Sequence, residues 1–373
     1  MKKLYFLSVM SAALLFGSCN PDKPVIPPGG EPVDNQITGF YLLNEGAMGS
    51  NNARLDFYDY QKAVFSRNIF PAVNPEVTGG LGDVGNDLKI YGSRLYAVIN
   101  ASNLVEVMDA KTAKHIGVIS VTNCRSIAFD GGKAYVSSFA GSVYGASQIG
   151  YVAEVDTASL QVLRTVNVGH EPEEMEVMNG KLYVVNSGGY NPPAYDNSVS
   201  VIDISSFTET GKIDVAVNLL NLRKDAHNNL FALGRGDYSA VQPDIYKINT
   251  QTNAVEKINV PYASNFCVSG DSLFILSNNT DYSSGTAVTV AKFVIYNTQS
   301  KQVMTENFIT DTSDAQISLS YGIAVNSITK EIFITDVKDY VSPGTLFCFS
   351  LEGSKKWSVM TDVIPSKIAF LWK

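Results

Sequence analysis

Histidine and cysteine are scarce in this chain, with three and four residues in 373. A catalytic metal needs three or four converging ligands, and only His170, beside Glu171, Glu173 and Glu174, stands among other ligating side chains. Chain-adjacent carboxylates of this kind are expected on a solvated loop, so no metal centre is assigned. The signatures of catalysis are missing too. There is no P-loop, no Gly-x-Ser-x-Gly elbow and no His-Glu-x-x-His, and no cysteine has a histidine at a telling spacing. The chain has no block of like charge, and a net charge of -8 is the opposite of the basic footprint that nucleic acid requires. The apolar run from Leu4 to Phe16 is too short to cross a bilayer.

That run belongs to a leader. Residues 1–18 carry two lysines, the apolar stretch, then Gly17 and Ser18 before Cys19, which is the layout of a cleaved export signal. Small residues directly before a cysteine resemble the lipobox of bacterial lipoproteins, which implies that Cys19 becomes the lipid-bearing first residue of the mature protein. Phe16 stands where leucine is commonest, with Leu15 beside it. Residues 19–36 hold five prolines and two glycines without apolar periodicity, so they read as a semi-rigid tether. Cys124, Cys267 and Cys348 remain, an odd and widely separated set expected as buried free thiols.

What the chain has in abundance is a repeat. The pattern Leu182-Tyr183-Val184-Val185-Asn186 recurs in seven degraded copies, with its aromatic position at Tyr41, Tyr96, Tyr135, Tyr183, Phe231, Phe274 and Phe333. The spacings of 55, 39, 48, 48, 43 and 59 residues sit close to the roughly 40 to 50 of a four-stranded propeller blade. Residues 37–373 are therefore expected to form an all-β, seven-bladed β-propeller of four-stranded antiparallel blades. Asn179-Gly180 marks a hairpin between the first and second strands of blade four. Asp109, Asp156, Asp203, Asn249 and Asn297 end third strands, where an Asx-turn suits them, so these carboxylates are structural. The first copy opens on a second strand with none before it. Ser366 to Phe370 resembles Arg125 to Phe129 of blade three, and is predicted to close the ring as the inner strand of blade one, which would remove the sheet edges.

In this arrangement the loops between second and third strands share one face with the connections between blades. Tyr144, Tyr190, Tyr195, Tyr238, Tyr282 and Tyr340 project from those loops, and tyrosine offers a rigid apolar body with a polar tip. They are the candidate apolar contacts of a ligand. Asn186 and Asn278, at the ends of second strands, are candidate polar contacts. Arg235 is a third, since a guanidinium holds a phosphate or carboxylate by paired hydrogen bonds; Arg125 could reach the same face.

Leu182 to Asn186, Val199-Ser200-Val201-Ile202-Asp203 and Val168-Gly169-His170-Glu171-Pro172 resemble the YVTN-repeat, YncE-like propellers over nearly all of residues 37–373. Such propellers host many activities. With its Bacteroidetes-like leader, the layout is most similar to the BtuG type of cell-surface lipoprotein. That resemblance implies a non-catalytic protein, lipid-anchored to the outer membrane, that captures cobalamin (vitamin B12) or a related corrinoid on one propeller face. It also implies transfer of this cargo to a BtuB-like TonB-dependent transporter, with no catalytic cofactor. Asn20-Pro21-Asp22-Lys23-Pro24 is less acidic than the usual surface-export signal, which keeps the periplasmic face open. Two other classes stay in view: a protein or glycan scaffold of the envelope, and a periplasmic enzyme of the lactonase or quinoprotein kind.

Overall fold

The fold was obtained as a computed structural model, which describes Val25, Pro27 and residues 36–141, 148–281 and 288–373. The leader, Cys19, Tyr144 and Tyr282 lie outside the described residues. The described chain forms seven four-stranded sheets, each a consecutive antiparallel meander except the first. Blade one takes its inner strand, Pro365–Trp372, from the far end of the chain and pairs it with Ile37–Asn44, placing Phe370 opposite Phe40 and Ile368 opposite Leu42. The ring is closed as the sequence predicts.

The repeated aromatic position falls on the second strand of every blade and is buried there, from Tyr96, Phe231 and Phe333 at 0% exposed to Phe274 at 7%. Its role is to fill the space between blades. The buried apolar residues form seven clusters, one per blade-to-blade interface; that between blades seven and one packs Phe40, Tyr58, Phe333 and Trp357 together. Alternation along each strand supplies both neighbouring interfaces at once. Asn179 and Gly180 both have positive φ, 53° and 73°, as a two-residue hairpin of the primed type requires. Each expected Asx-turn is present: Asp109, Asp156, Asp203, Asn249 and Asn297 all accept backbone N–H groups two or three residues on.

Cys124 and Cys348 are buried free thiols, whereas Cys267 is only part-buried and lines the lower end of the channel. Among the described residues of the tether, Val25 exchanges two backbone hydrogen bonds with Phe65, at 2.8 and 2.7 Å, on the outer strand of blade one, and Gln36 accepts from Lys373 N–H at 2.9 Å.

Candidate functional site

The central channel opens on the face of the loops between second and third strands, and its wall is made by one device repeated seven times. At the top of every inner strand the pairing slips by one residue: at Asn86 in blade two, Arg125-Ser126 in three, Glu173-Glu174 in four and Leu220-Asn221 in five. Blades six, seven and one repeat it at Ser264, Tyr321-Gly322 and Ser366. A bulge sets two residues against one and re-aims side chains. Here it turns polar groups into the channel from an otherwise apolar strand. Val84, Asn123, Glu171, Asn218, Tyr262 and Ile364, each directly before an inner strand, have φ between 45° and 61°. That conformation costs a non-glycine residue about 1–2 kcal/mol, so the turn into the channel is imposed by the ring.

The polar groups make two tiers. In the upper one, Arg125 donates to both carboxylate oxygens of Glu173, at 3.0 and 3.2 Å, with its guanidinium 4.7 Å above the Phe139 ring. Glu45 accepts from the Tyr321 hydroxyl at 3.0 Å. In the lower tier Glu174 is held by Arg223 in a two-pronged pair and by Lys367 at 2.7 Å. Asp87 accepts from Ser126 Oγ at 2.7 Å and from the backbone of Leu88 and Ile127, with Lys89 at 3.6 Å. The lower tier forms the waist of the channel: Asp87, Ser366 and Lys367 line cavities on both sides of it. Glu171, Glu173 and Glu174, expected on a solvated loop, are instead buried, at 4%, 3% and 7% exposed. The bulge at the head of the strand draws the last two inward, where arginine partners replace water.

Burial pushes the Glu45 carboxyl up to about 7, only partly offset by the Tyr321 hydroxyl and the nearby Lys367 and Arg125 charges. Glu174 goes the other way: burial opposes its charge, but Arg223 and Lys367 outweigh that and hold it well below the usual carboxylate range. A stability test follows from Glu45. Its folded value lies above the ordinary 4.5, so the native state keeps a proton that the unfolded chain has lost. Stability therefore falls as pH rises from about 4.5 to about 7 and levels off above. Glu45→Gln keeps the acceptor for Tyr321 and is expected to melt higher than wild type at pH 8 but equally at pH 4.5. Parallel melting curves at both pH values would remove Glu45 from this role.

Above the waist is a polar cavity of about 270 Å³, lined by Glu45, Met48, Tyr190, Arg235 and the bulge residues. It shares Met48, Asn100, Arg125 and Tyr190 with a shallower cavity of about 330 Å³ that reaches Phe139. Of the candidate residues, Tyr190 and Arg235 meet there. Tyr190 is 53% exposed, its ring edge-on to Phe139 at 6.2 Å and its N–H donated to Glu171 at 2.6 Å. Tyr340 stands one ring away, edge-on to Tyr321 at 5.9 Å. Half-buried Tyr195 and exposed Tyr238 form a separate pair at 6.4 Å and line neither cavity.

Asn186 is fully buried. Its carboxamide accepts from Gly169 N–H and donates toward Ser198 and Ser200, so it secures the loop rather than facing a ligand. Asn278 bonds Ser264 and, twice, Ser320, tying blade six to blade seven. Sequence reasoning passed over Glu45, Met48, Glu173 and Tyr321. A partial signal for the bulges is the polar residue just inside most inner strands, as at Asn86, Arg125, Glu173, Ser264 and Ser366.

Residues 38–348 match the family described as Domain of unknown function (DUF5074). The chain belongs to this family. Comparison with curated proteins gives no match. Among solved structures, a quinoprotein alcohol dehydrogenase-like protein of Bacteroides thetaiotaomicron is similar at 16% identity and a TM-score of 0.62, over 90% of this chain and 79% of that one. AztD of Citrobacter koseri is similar at 10% identity and 0.53, over 90% and 98%. The dihydro-heme d1 dehydrogenase NirN is similar at 9% identity and 0.55, over 92% and 79%. At these identities the likeness is one of fold.

Proposed function

We propose that this protein captures a wide, amide-edged small molecule, a corrinoid such as cobalamin, on the channel-mouth face, and passes it to a TonB-dependent transporter of the outer membrane. In this reading it is a lipid-anchored protein of the cell envelope that binds without transforming its cargo. The observation carrying the proposal is the pair of adjoining cavities, which share Tyr190, Met48 and Arg125 and so form one continuous surface mixing apolar bodies with hydrogen-bonding groups. A corrinoid is flat and rimmed by amides, and such a surface suits it. Side chains held on a rigid ring lose little freedom on binding, which favours affinity.

Titration of residues 36–373 with cyanocobalamin by calorimetry tests this, with tight one-to-one binding expected. Tyr190→Ala should weaken it about tenfold, by loss of a half-exposed aromatic contact, and leave Tm within about 1 °C. Absence of heat with the wild type would overturn the corrinoid reading.

Glu45 favours a second reading. A carboxyl with its value near 7 in a cavity is suited to general acid catalysis, as an envelope enzyme would need. Turnover of lactone or alcohol substrates that is lost in Glu45→Gln would support that alternative.

A further inference from the structure

The cations of the channel differ in how their hydrogen-bonding capacity is used. Arg125 gives two bonds to Glu173, Arg223 spends both terminal nitrogens on Glu174, and Lys367 bonds Glu174. Among the described residues Arg235 makes one side-chain hydrogen bond, from Nε to Asn218 Oδ1 at 3.0 Å. Its Nη2 lies 3.8 Å from Glu173 Oε1, within reach of the charge but beyond a hydrogen bond. The Nη fork therefore faces the 270 Å³ cavity with its donors unused, 28% of the side chain being exposed.

The fork is also held in place. Asn218, fully buried and in the left-handed region at φ 60°, takes the Arg235 backbone N–H at 2.9 Å as well as its Nε, and donates to Gly236 O at 3.2 Å. The guanidinium lies across Gly189, where a Cβ would come within 2.7 Å of Nη2. A glycine at this point of the Tyr190 loop leaves the space that the guanidinium fills. A fixed planar fork whose Nη1–Nη2 edge is open to the cavity is the geometry that receives an oxyanion by parallel hydrogen bonds.

We infer that Arg235 is an oxyanion subsite of the channel mouth, taking the phosphate or a carboxylate of the captured ligand, with Gly189 clearing its position. This rests on the capture reading above and adds to it the polarity of one end of the ligand. Glu173 is already paired by Arg125, so an arriving anion meets the second guanidinium without stripping the carboxylate of its partner.

The test crosses Arg235→Gln with two corrinoids, cyanocobalamin and cobinamide, the second lacking the phosphate-linked tail. The variant is expected to lose at least tenfold in affinity for cyanocobalamin, to be unchanged for cobinamide, and to keep the wild-type Tm. Equal losses for both, or no loss for either, would overturn a phosphate subsite. If the wild type binds neither corrinoid, the capture reading fails while the subsite is tested directly. The Arg235 Nε resonance, identified by its absence in Arg235→Gln, is then followed during titration with methyl phosphate and with acetate. A saturable shift with either anion, weakened in Gly189→Ala, supports the subsite and names the anion; no shift with either refutes it.

Discussion

Deleting residues 365–373 is expected to abolish cooperative folding. The segment is the inner strand of blade one, and its side chains serve two interfaces at once. Ile368 and Phe370 pack toward blade seven with Phe40 and Phe333, while Ala369 and Leu371 join the cluster of blades one and two with Tyr41 and Leu88. Without it, Ile37–Asn44 becomes an unpaired edge, which invites association with other chains. The loss also takes Lys367 from Glu174. Two interface clusters and a ladder together exceed the roughly 5–15 kcal/mol that holds a typical domain, so no stable shortened ring is expected. Circular dichroism melts and size-exclusion chromatography would show a broad transition and aggregates. A milder probe is Phe370→Ala, which should cost about 3 kcal/mol as a partly exposed member of the large-to-alanine class. A truncated protein with wild-type Tm would mean that the ring closes elsewhere.

The ring itself was legible because its signal is packing. Tyr41, Tyr96, Tyr135 and their equivalents must fill the space between neighbouring blades, and that demand imprints a period on the chain. The closing strand was legible for the same reason, since Ile368 and Phe370 alternate as Ile127 and Phe129 do. The mouth was less so. Glu173 and Glu174 read as a solvated pair because a bulge is a slip in pairing, and a slip leaves no mark on hydrophobic periodicity. Asn186 and Asn278 look identical in sequence to rim residues, and only their hydrogen bonds show that they fasten loops and blades. The loop tyrosines were chosen by shared face, yet Tyr190 reaches the channel while Tyr195 and Tyr238 pair with each other. Which of them points inward depends on loop conformation, which alternation along strands does not encode.

The waist of the channel gives the second large effect. Glu174 joins blade four to Arg223 of blade five and Lys367 of blade one, and also accepts the Leu222 N–H at 3.1 Å. Glu174→Ala strips Arg223 and Lys367 of the one carboxylate that hydrogen-bonds both, leaving only the longer-range charges of Asp87 and Glu176 to offset them. Removing one partner of a buried pair costs about 3–5 kcal/mol, and exposures of 27% for Arg223 and 22% for Lys367 favour the lower end. The pH dependence has a definite sign. Because the folded value of Glu174 lies below the ordinary one, its contribution is present above about 4.5 and is lost as pH falls through the folded value. Urea unfolding at pH 7 should therefore separate wild type from Glu174→Ala most widely, and the gap should narrow on acidification. Adding Arg223→Met to Glu174→Ala should recover part of the loss, because the penalty comes from the stranded charge as much as from the missing bond. A cost below about 1 kcal/mol at pH 7, the level of an exposed ion pair, would mean instead that water screens the waist, and that the channel is open from one face to the other.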